Sequence, residues 1–291
     1  MSFMPYVVHL LVLVCIYVIL STSLDFALGH TGLMNLGHIA FFGIGAYTSV
    51  LLNMSGVPYP AALLAAGLFA SVFGYFLVYA TKNLKGDYLA LATLGFNFVI
   101  YSILLNWTSL TRGPLGIPGI PKPNILGYVI KSNMQYLIFA AIICVVCVYI
   151  LKRIAESPFG RLLHAARDDE VGLRVLGKDT SKLKYKAMMI SAFFAGIAGS
   201  LFAHYITYID PSSFTLTEII LVFTIVIVGG IASFKGNIVS TFIILLIPEA
   251  LRFVNMPSSI LGPMRQIVYA MILLLILLYK PRGLFGRIDL E

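Results

Sequence analysis

Charge is scarce in this chain: 11% of its 291 residues are Asp, Glu, Lys or Arg, against about a quarter in an average soluble domain. Hydrophobic residues make up 59%, more than a soluble interior of this size can hide. Long polar segments are missing as well, so one membrane domain over 1–291 is expected. The phosphate-binding G-x-x-x-x-G-K-[ST] is absent, which excludes ATP binding by that motif. H-E-x-x-H, G-x-S-x-G and Cys/His clusters at zinc spacing are absent too, leaving no catalytic, metal or cofactor set to name. There are no spaced intramembrane arginines and no series of buried acids. Uphill transport would therefore draw on a partner or an ion gradient. The three cysteines, Cys15, Cys144 and Cys147, all fall in apolar runs and read as small buried hydrophobes. Cys144-x-x-Cys147 lacks the strand–helix context of a redox pair.

What is present is a series of apolar runs of roughly 20 residues, each long enough as a helix to cross a bilayer. Nine spans are predicted, at 5–24, 33–54, 59–80, 88–107, 134–151, 187–206, 216–234, 237–255 and 264–280. The fold class is an all-α integral membrane bundle of about 8–10 spans. The run from Pro5 to Leu24 lacks a basic leader and a small-residue cleavage site, so it reads as the first span. Glycine or proline interrupts the second and eighth spans, and the second is expected to be broken or re-entrant.

Lys and Arg set the orientation. With a cytoplasmic C-terminus, fifteen of the twenty basic residues fall inside and five outside. Nine spans then put the N-terminus outside. Residues 108–133, rich in Gly and Pro, are expected to form an external loop of turns rather than helix. Residues 152–186 carry nine basic residues and read as two short cytoplasmic helices. Ser157-Pro158 marks one start, Asp168, Asp169 and Glu170 suit another, and Gly177 suits a stop.

Ala62, Ala66, Ala70 and Gly74 recur every four residues, as do Ala192, Gly196 and Ser200. Such stripes let helix backbones approach closely in lipid. The second span is unlike them, with Gly32, Asn35, Gly37, His38, Gly43 and Gly45 in one stretch. Polar groups at depth line a cavity or find a partner. Asn35 and His38 either mark a discontinuous helix on a solute path or bond a neighbouring helix, and both readings stay open. Asn97 and Asn106 read as interhelical glue. Glu249 reads as the partner of Arg252, three residues on. His9 and His204 fall near span ends, where interfacial positions are expected.

The ordered motifs also carry a resemblance. Gly29-His-Thr-Gly-Leu-Met-Asn-Leu-Gly-His-Ile-Ala-Phe-Phe-Gly-Ile-Gly-Ala-Tyr47 resembles the signature of branched-chain amino acid ABC transporter permeases, the LivH/LivM family. Tyr88–Leu94, Leu110–Pro121, Ser157–Glu170 with Leu176-Gly-Lys, Gly229–Gly236 and Lys280–Gly286 are similar to later family motifs, the second of them to the external loop of the LivM subtype. The resemblance runs from about residue 22 to the end. Arg112 and Ala232 stand where members commonly have Gly, and Phe96-Asn97-Phe98 stands where many carry an acid. These departures put the lining of the path, and so the solute, in doubt.

The resemblance implies a bacterial inner-membrane importer. Its other parts would be a second, LivH-like permease, two cytoplasmic ABC ATPases and an extracytoplasmic binding protein. It implies that Asp168 to Gly177, with Asp169, Glu170, Val171, Gly172, Leu173 and Leu176 between them, forms the coupling helix for an ATPase groove. Asn35, Gly37, His38, Asn97 and Glu249 are the candidates for the translocation path. A solvated basic loop attracted to anionic lipid explains the lysines and arginines of 152–186. It does not explain an acid cluster followed by an apolar face, which suits a protein groove. The alternative function is an ion-coupled transporter or channel for small polar solutes such as urea or amides. An intramembrane enzyme is disfavoured, since no acid–base or metal set converges.

Overall fold

A computed structural model describes residues 3–125, 127–250, 258–280 and 282–286. The chain is a bundle of α-helices: α1 (Phe3–Thr31), α2 (His38–Met54), α3 (Tyr59–Thr81), α4 (Asp87–Asn106), the single turn α5 (Thr108–Thr111), α6 (Asn133–Glu156), α7 (Pro158–Asp168), α8 (Glu170–Val175), α9 (Thr180–Ile206), α10 (Leu216–Gly229), α11 (Phe234–Ala250) and α12 (Ser258–Tyr279). Six helices among the described residues are long and apolar enough to cross a membrane, and three shorter apolar helices accompany them. Each of the nine predicted spans has its helix.

The small-residue stripes pack as their spacing predicts. α9 packs against both α2 and α3, which also pack on each other. A Cβ added at Gly196 would stand 2.6 Å from the Ala66 carbonyl oxygen, and one at Gly74 would stand 2.9 Å from Ala192 Cβ. Where a side chain has no room, backbones touch, and dispersion replaces the hydrophobic drive that lipid removes.

Two boundaries differ from the sequence reading. The first helix runs seven residues beyond Leu24, through a polar stretch that looks like a span end. The hydroxyls on either side of that point are satisfied within the helix: Thr22 Oγ1 donates to the Val18 carbonyl at 2.6 Å, Ser23 Oγ to that of Leu20 at 2.8 Å, and Thr31 Oγ1 to that of Ala27. The segment 108–133 is not turns alone. It holds α5, a 3-10 turn at Gly113–Leu115, and three two-residue strands, β1 (Ile117–Pro118), β2 (Asn124–Ile125) and β3 (Tyr128–Val129). β1 pairs antiparallel with β4 (Tyr208–Ile209), and β2 with β3. This ties 108–133 to the end of the bundle where α9 meets α10.

Opposite that end, four connections converge. Arg167 donates to the Gly29 carbonyl at 2.6 Å, Lys85 pairs with Glu170 at 3.4 Å, and the amides of Leu284 and Phe285 donate to the carbonyls of Val228 and Gly229 at 2.9 and 3.0 Å.

Arg112 and Ala232 adopt left-handed backbone, at φ 62° and 59°. A Cβ is strained in this region of backbone and a glycine is not. Ala232→Gly is expected to raise stability by about 0.5–1 kcal/mol. A thermal melt in detergent checks this. A lower midpoint would show that the Ala232 methyl holds packing worth more than the strain.

Candidate functional site

The break in the second span lies at residues 32–37, between α1 and α2. Gly32 turns the chain at φ 69°. Backbone amides left without helical partners are met by side chains: Leu36 N donates to Thr93 Oγ1 at 2.9 Å and Gly37 N to Asn35 Oδ1 at 3.0 Å. A Cβ at Gly37 would collide with the Thr93 carbonyl oxygen, so the break is pressed against α4. Non-helical backbone inside a membrane bundle survives only with such partners.

The candidate path residues fall into two places. Asn35, His38 and Asn97 are all buried, at 0%, 1% and 1% exposed, and Thr93, one turn before Asn97 on α4, touches the break. Asn35 Nδ2 reaches Met188 Sδ at 3.4 Å, and His38 Nε2 meets Ser23 Oγ at 2.9 Å. These two do bond neighbouring helices. Neither amide atom of Asn97 has a partner among the described residues, so the expected interhelical bond is not made. Asn106 bonds the Ser102 carbonyl of its own helix at 2.8 Å. Glu249 lies on α11, away from this group. Its side chain and Arg252 fall outside the described residues, and so does the pairing expected between them. His204, near the end of α9, is fully buried, with Tyr59 at the start of α3 edge-on at 4.6 Å between ring centroids.

Two acids were missed. Asp25, one residue past the predicted first span, is fully buried and accepts from Ala232 N at 2.8 Å. Glu218, at the start of α10, accepts from Tyr17 Oη at 2.6 Å. Each bond joins residues about two hundred positions apart. A lone acid at a span edge was the only signal.

The second feature is the elbow α7–α8. Ser157 caps α7, accepting from Gly160 N at 3.3 Å, and Asp169 caps α8, accepting from Gly172 N at 2.9 Å. Caps of this kind satisfy amides that a helix start leaves open. Asp168 closes α7 and pairs with Arg167 at 2.8 Å. Gly177, at φ 75°, follows the end of α8. Leu173 is buried, whereas Val171, Val175 and Leu176 are 66%, 82% and 76% exposed.

Glu170 fastens this elbow. It meets Arg174 at 2.6 Å, Lys184 at 2.9 Å and Lys85 at 3.4 Å. Burial alone would raise its carboxyl pKa, but Lys184, Arg174 and Lys85 outweigh burial and hold it at about 2. A depressed carboxyl stabilises the fold fully above its ordinary value of 4.5, and that contribution fades as pH falls towards 2. Hydrogen exchange across 170–184, corrected for intrinsic rate, is therefore expected to be flat from pH 8 to 5 and to rise below 4.5. Glu170→Gln should exchange faster throughout and lose that rise. A wild-type rise centred near pH 6 would contradict the assignment.

A polytopic all-α bundle, in which a non-helical segment between the first two helices is held by polar side chains against a third, has the form of transport proteins with irregular backbone at a solute path. The model of the family described as "Branched-chain amino acid transport system / permease component" matches residues 6–277. The chain belongs to that family. It is 34% identical over 301 residues to the high-affinity branched-chain amino acid transport system permease protein LivM of Escherichia coli (strain K12), covering 95% of this chain and 69% of that protein. It is 26% identical to a probable LivM of Methanocaldococcus jannaschii over 92% of this chain and 90% of that one. To LivH of Escherichia coli (strain K12) it is 25% identical, over 94% and 92%. No solved structure matches the chain.

Proposed function

We propose that this chain is one permease half of an ATP-driven importer for branched-chain amino acids, a single membrane domain over 1–291. The observation that carries the reading is the elbow α7–α8, which exposes Val171, Val175 and Leu176 on a helix held firmly by its acids. An apolar helix face that its own fold does not use suits a groove on another protein. The end of the bundle bearing α7–α8, Lys85 and the segment 282–286 is cytoplasmic in this reading, and the segment 108–133 faces the extracytoplasmic binding protein. The C-terminus is then inside, as the bias of Lys and Arg requires. Two ABC ATPases seat the elbows of this chain and of a LivH-like partner. Their closure on ATP rocks the two permeases between inward-open and outward-open states.

Asn35, Gly37, His38 and Asn97 belong to the path because they lie in or beside the break at 32–37, which polar side chains support. Glu249 joins them as a candidate from α11. The reaction breaks no bond in the solute, so no catalytic residue is assigned. The test is reconstitution in liposomes. The chain alone should neither hydrolyse ATP nor carry leucine. With the second permease, the ATPases and the binding protein, both activities should appear together. Leucine flux through the isolated chain would overturn the proposal in favour of an ion-coupled transporter or a channel.

A further inference from the structure

At the α7 end of the bundle a cavity of about 640 Å³ opens between α6 and α11, over the end of α1. Val148, Lys152 and Glu156 line it from one face of α6, at successive i, i+4 positions, so it runs roughly 12 Å along that helix. Its two ends differ in chemistry. Val148 and Ile238 form an apolar wall within helices long or apolar enough to sit in lipid. Lys152 and Lys235 stand towards the helix ends, and His30 and His164, ring centroids 4.6 Å apart, line the same cavity.

The charges are not matched within the chain. Lys152 reaches Glu156 at 3.7 Å, with both side chains more than half exposed. Exposed pairs of this spacing are weak, so a stronger acceptor can draw the lysine away. Lys235 is exposed and has no ion pair or hydrogen bond among the described residues. Burial and the neighbouring Arg167 hold the His164 imidazole below its ordinary pKa, partly opposed by Asp168. A neutral imidazole carries one N–H donor and one acceptor.

We propose that this cavity holds the phosphate head of an anionic phospholipid between Lys152 and Lys235, with an acyl chain lying along α6 and α11 past Val148 and Ile238. A soluble phosphate would satisfy the same lysines but would leave the apolar wall unused. The wall selects the lipid. His164 belongs to α7, so a lipid seated here touches the elbow directly. The inference does not depend on what the elbow docks against.

The test is native mass spectrometry of the full-length chain, delipidated in detergent and titrated with lipid. Three probes are compared: phosphatidylglycerol, phosphatidylcholine with the same acyl chains, and inorganic phosphate. Phosphatidylglycerol should be retained at lower concentration than phosphatidylcholine, and excess phosphate should not displace it. At about one kcal/mol per basic residue, Lys235→Gln should weaken retention roughly fivefold and the double variant with Lys152→Gln about thirtyfold. Lys235 is exposed and has no partner to lose, so its single variant tests the site without risk to the fold. Lys182→Gln, an exposed lysine on α9 away from the cavity, should change nothing. Equal retention of the two lipids, or unchanged retention in Lys235→Gln and in the double variant, would overturn the proposal. Displacement by phosphate alone would overturn the lipid assignment and give the site to a soluble anion.

Discussion

Gly199→Val is expected to leave no folded permease. A Cβ at position 199 would collide with the Phe42 carbonyl oxygen and stand 2.9 Å from Ala46 N. Both are backbone atoms of α2, so no rotamer change can make room. One turn away a Cβ at Gly45 would collide with the backbone of Gly196, so the two helices are in contact at both levels. Valine would force α9 off α2 along its length. α9 is also the helix against which α3 packs, so the disturbance reaches that pair too. Overpacking in a close-packed core costs about 1–3 kcal/mol even where side chains can yield, and here they cannot. The expected loss is at least about 4 kcal/mol, in the range that unfolds a marginally stable protein. Size-exclusion profiles and thermal melts in detergent read this directly. Gly95→Val is the control, since an added Cβ there meets nothing within 4 Å. A monodisperse Gly199→Val protein that melts like the wild type would refute the packing account.

The second large effect concerns transport rather than folding. Val175 and Leu176 are 82% and 76% exposed, so the pair Val175→Asp and Leu176→Asp should leave the melting curve of the chain unchanged. Anchors at the centre of an interface commonly cost about 2–4 kcal/mol each when lost. Reconstituted leucine uptake should accordingly fall by two orders of magnitude or more, and co-purification of the ATPases should weaken with it. Leu173→Asp separates the two causes. Leu173 is buried beneath the elbow, so that variant should lower stability as well as uptake. Undiminished uptake in the Val175/Leu176 double variant would remove α8 from the coupling role.

These two sites also mark how far the sequence could be read. The close packing of α3 and α9 was legible because it rests on a spacing: small residues every four positions let helix backbones approach, whereas the part that α2 takes in it, through Gly45, was not. The elbow was legible because its capping residues are local, as with Ser157 before Pro158 and Asp169 before Glu170. The break at 32–37 was legible as a run of glycines with Asn35 and His38, but its partner was not. Nothing local announces that Thr93 on α4 meets the amide of Leu36. The same limit hid Asp25, whose acceptor oxygen serves an amide at position 232, and Glu218, which holds Tyr17. Arg112 and Ala232 show the converse. A departure from Gly that looked like a change in the solute path turns out to sit at a left-handed turn, where it bears on backbone strain.

A single cysteine placed at Val175 provides the most direct measurement of the whole account. Val175→Cys would be exposed to a membrane-impermeant maleimide in intact cells, in right-side-out vesicles and in inverted vesicles. The wild type supplies the background from Cys15, Cys144 and Cys147, all of which lie in spans. Labelling confined to inverted vesicles, and lost when the ATPase subunits are bound, is the predicted result. Labelling from outside the cell would put the elbow on the far side of the membrane from ATP and contradict the proposed coupling.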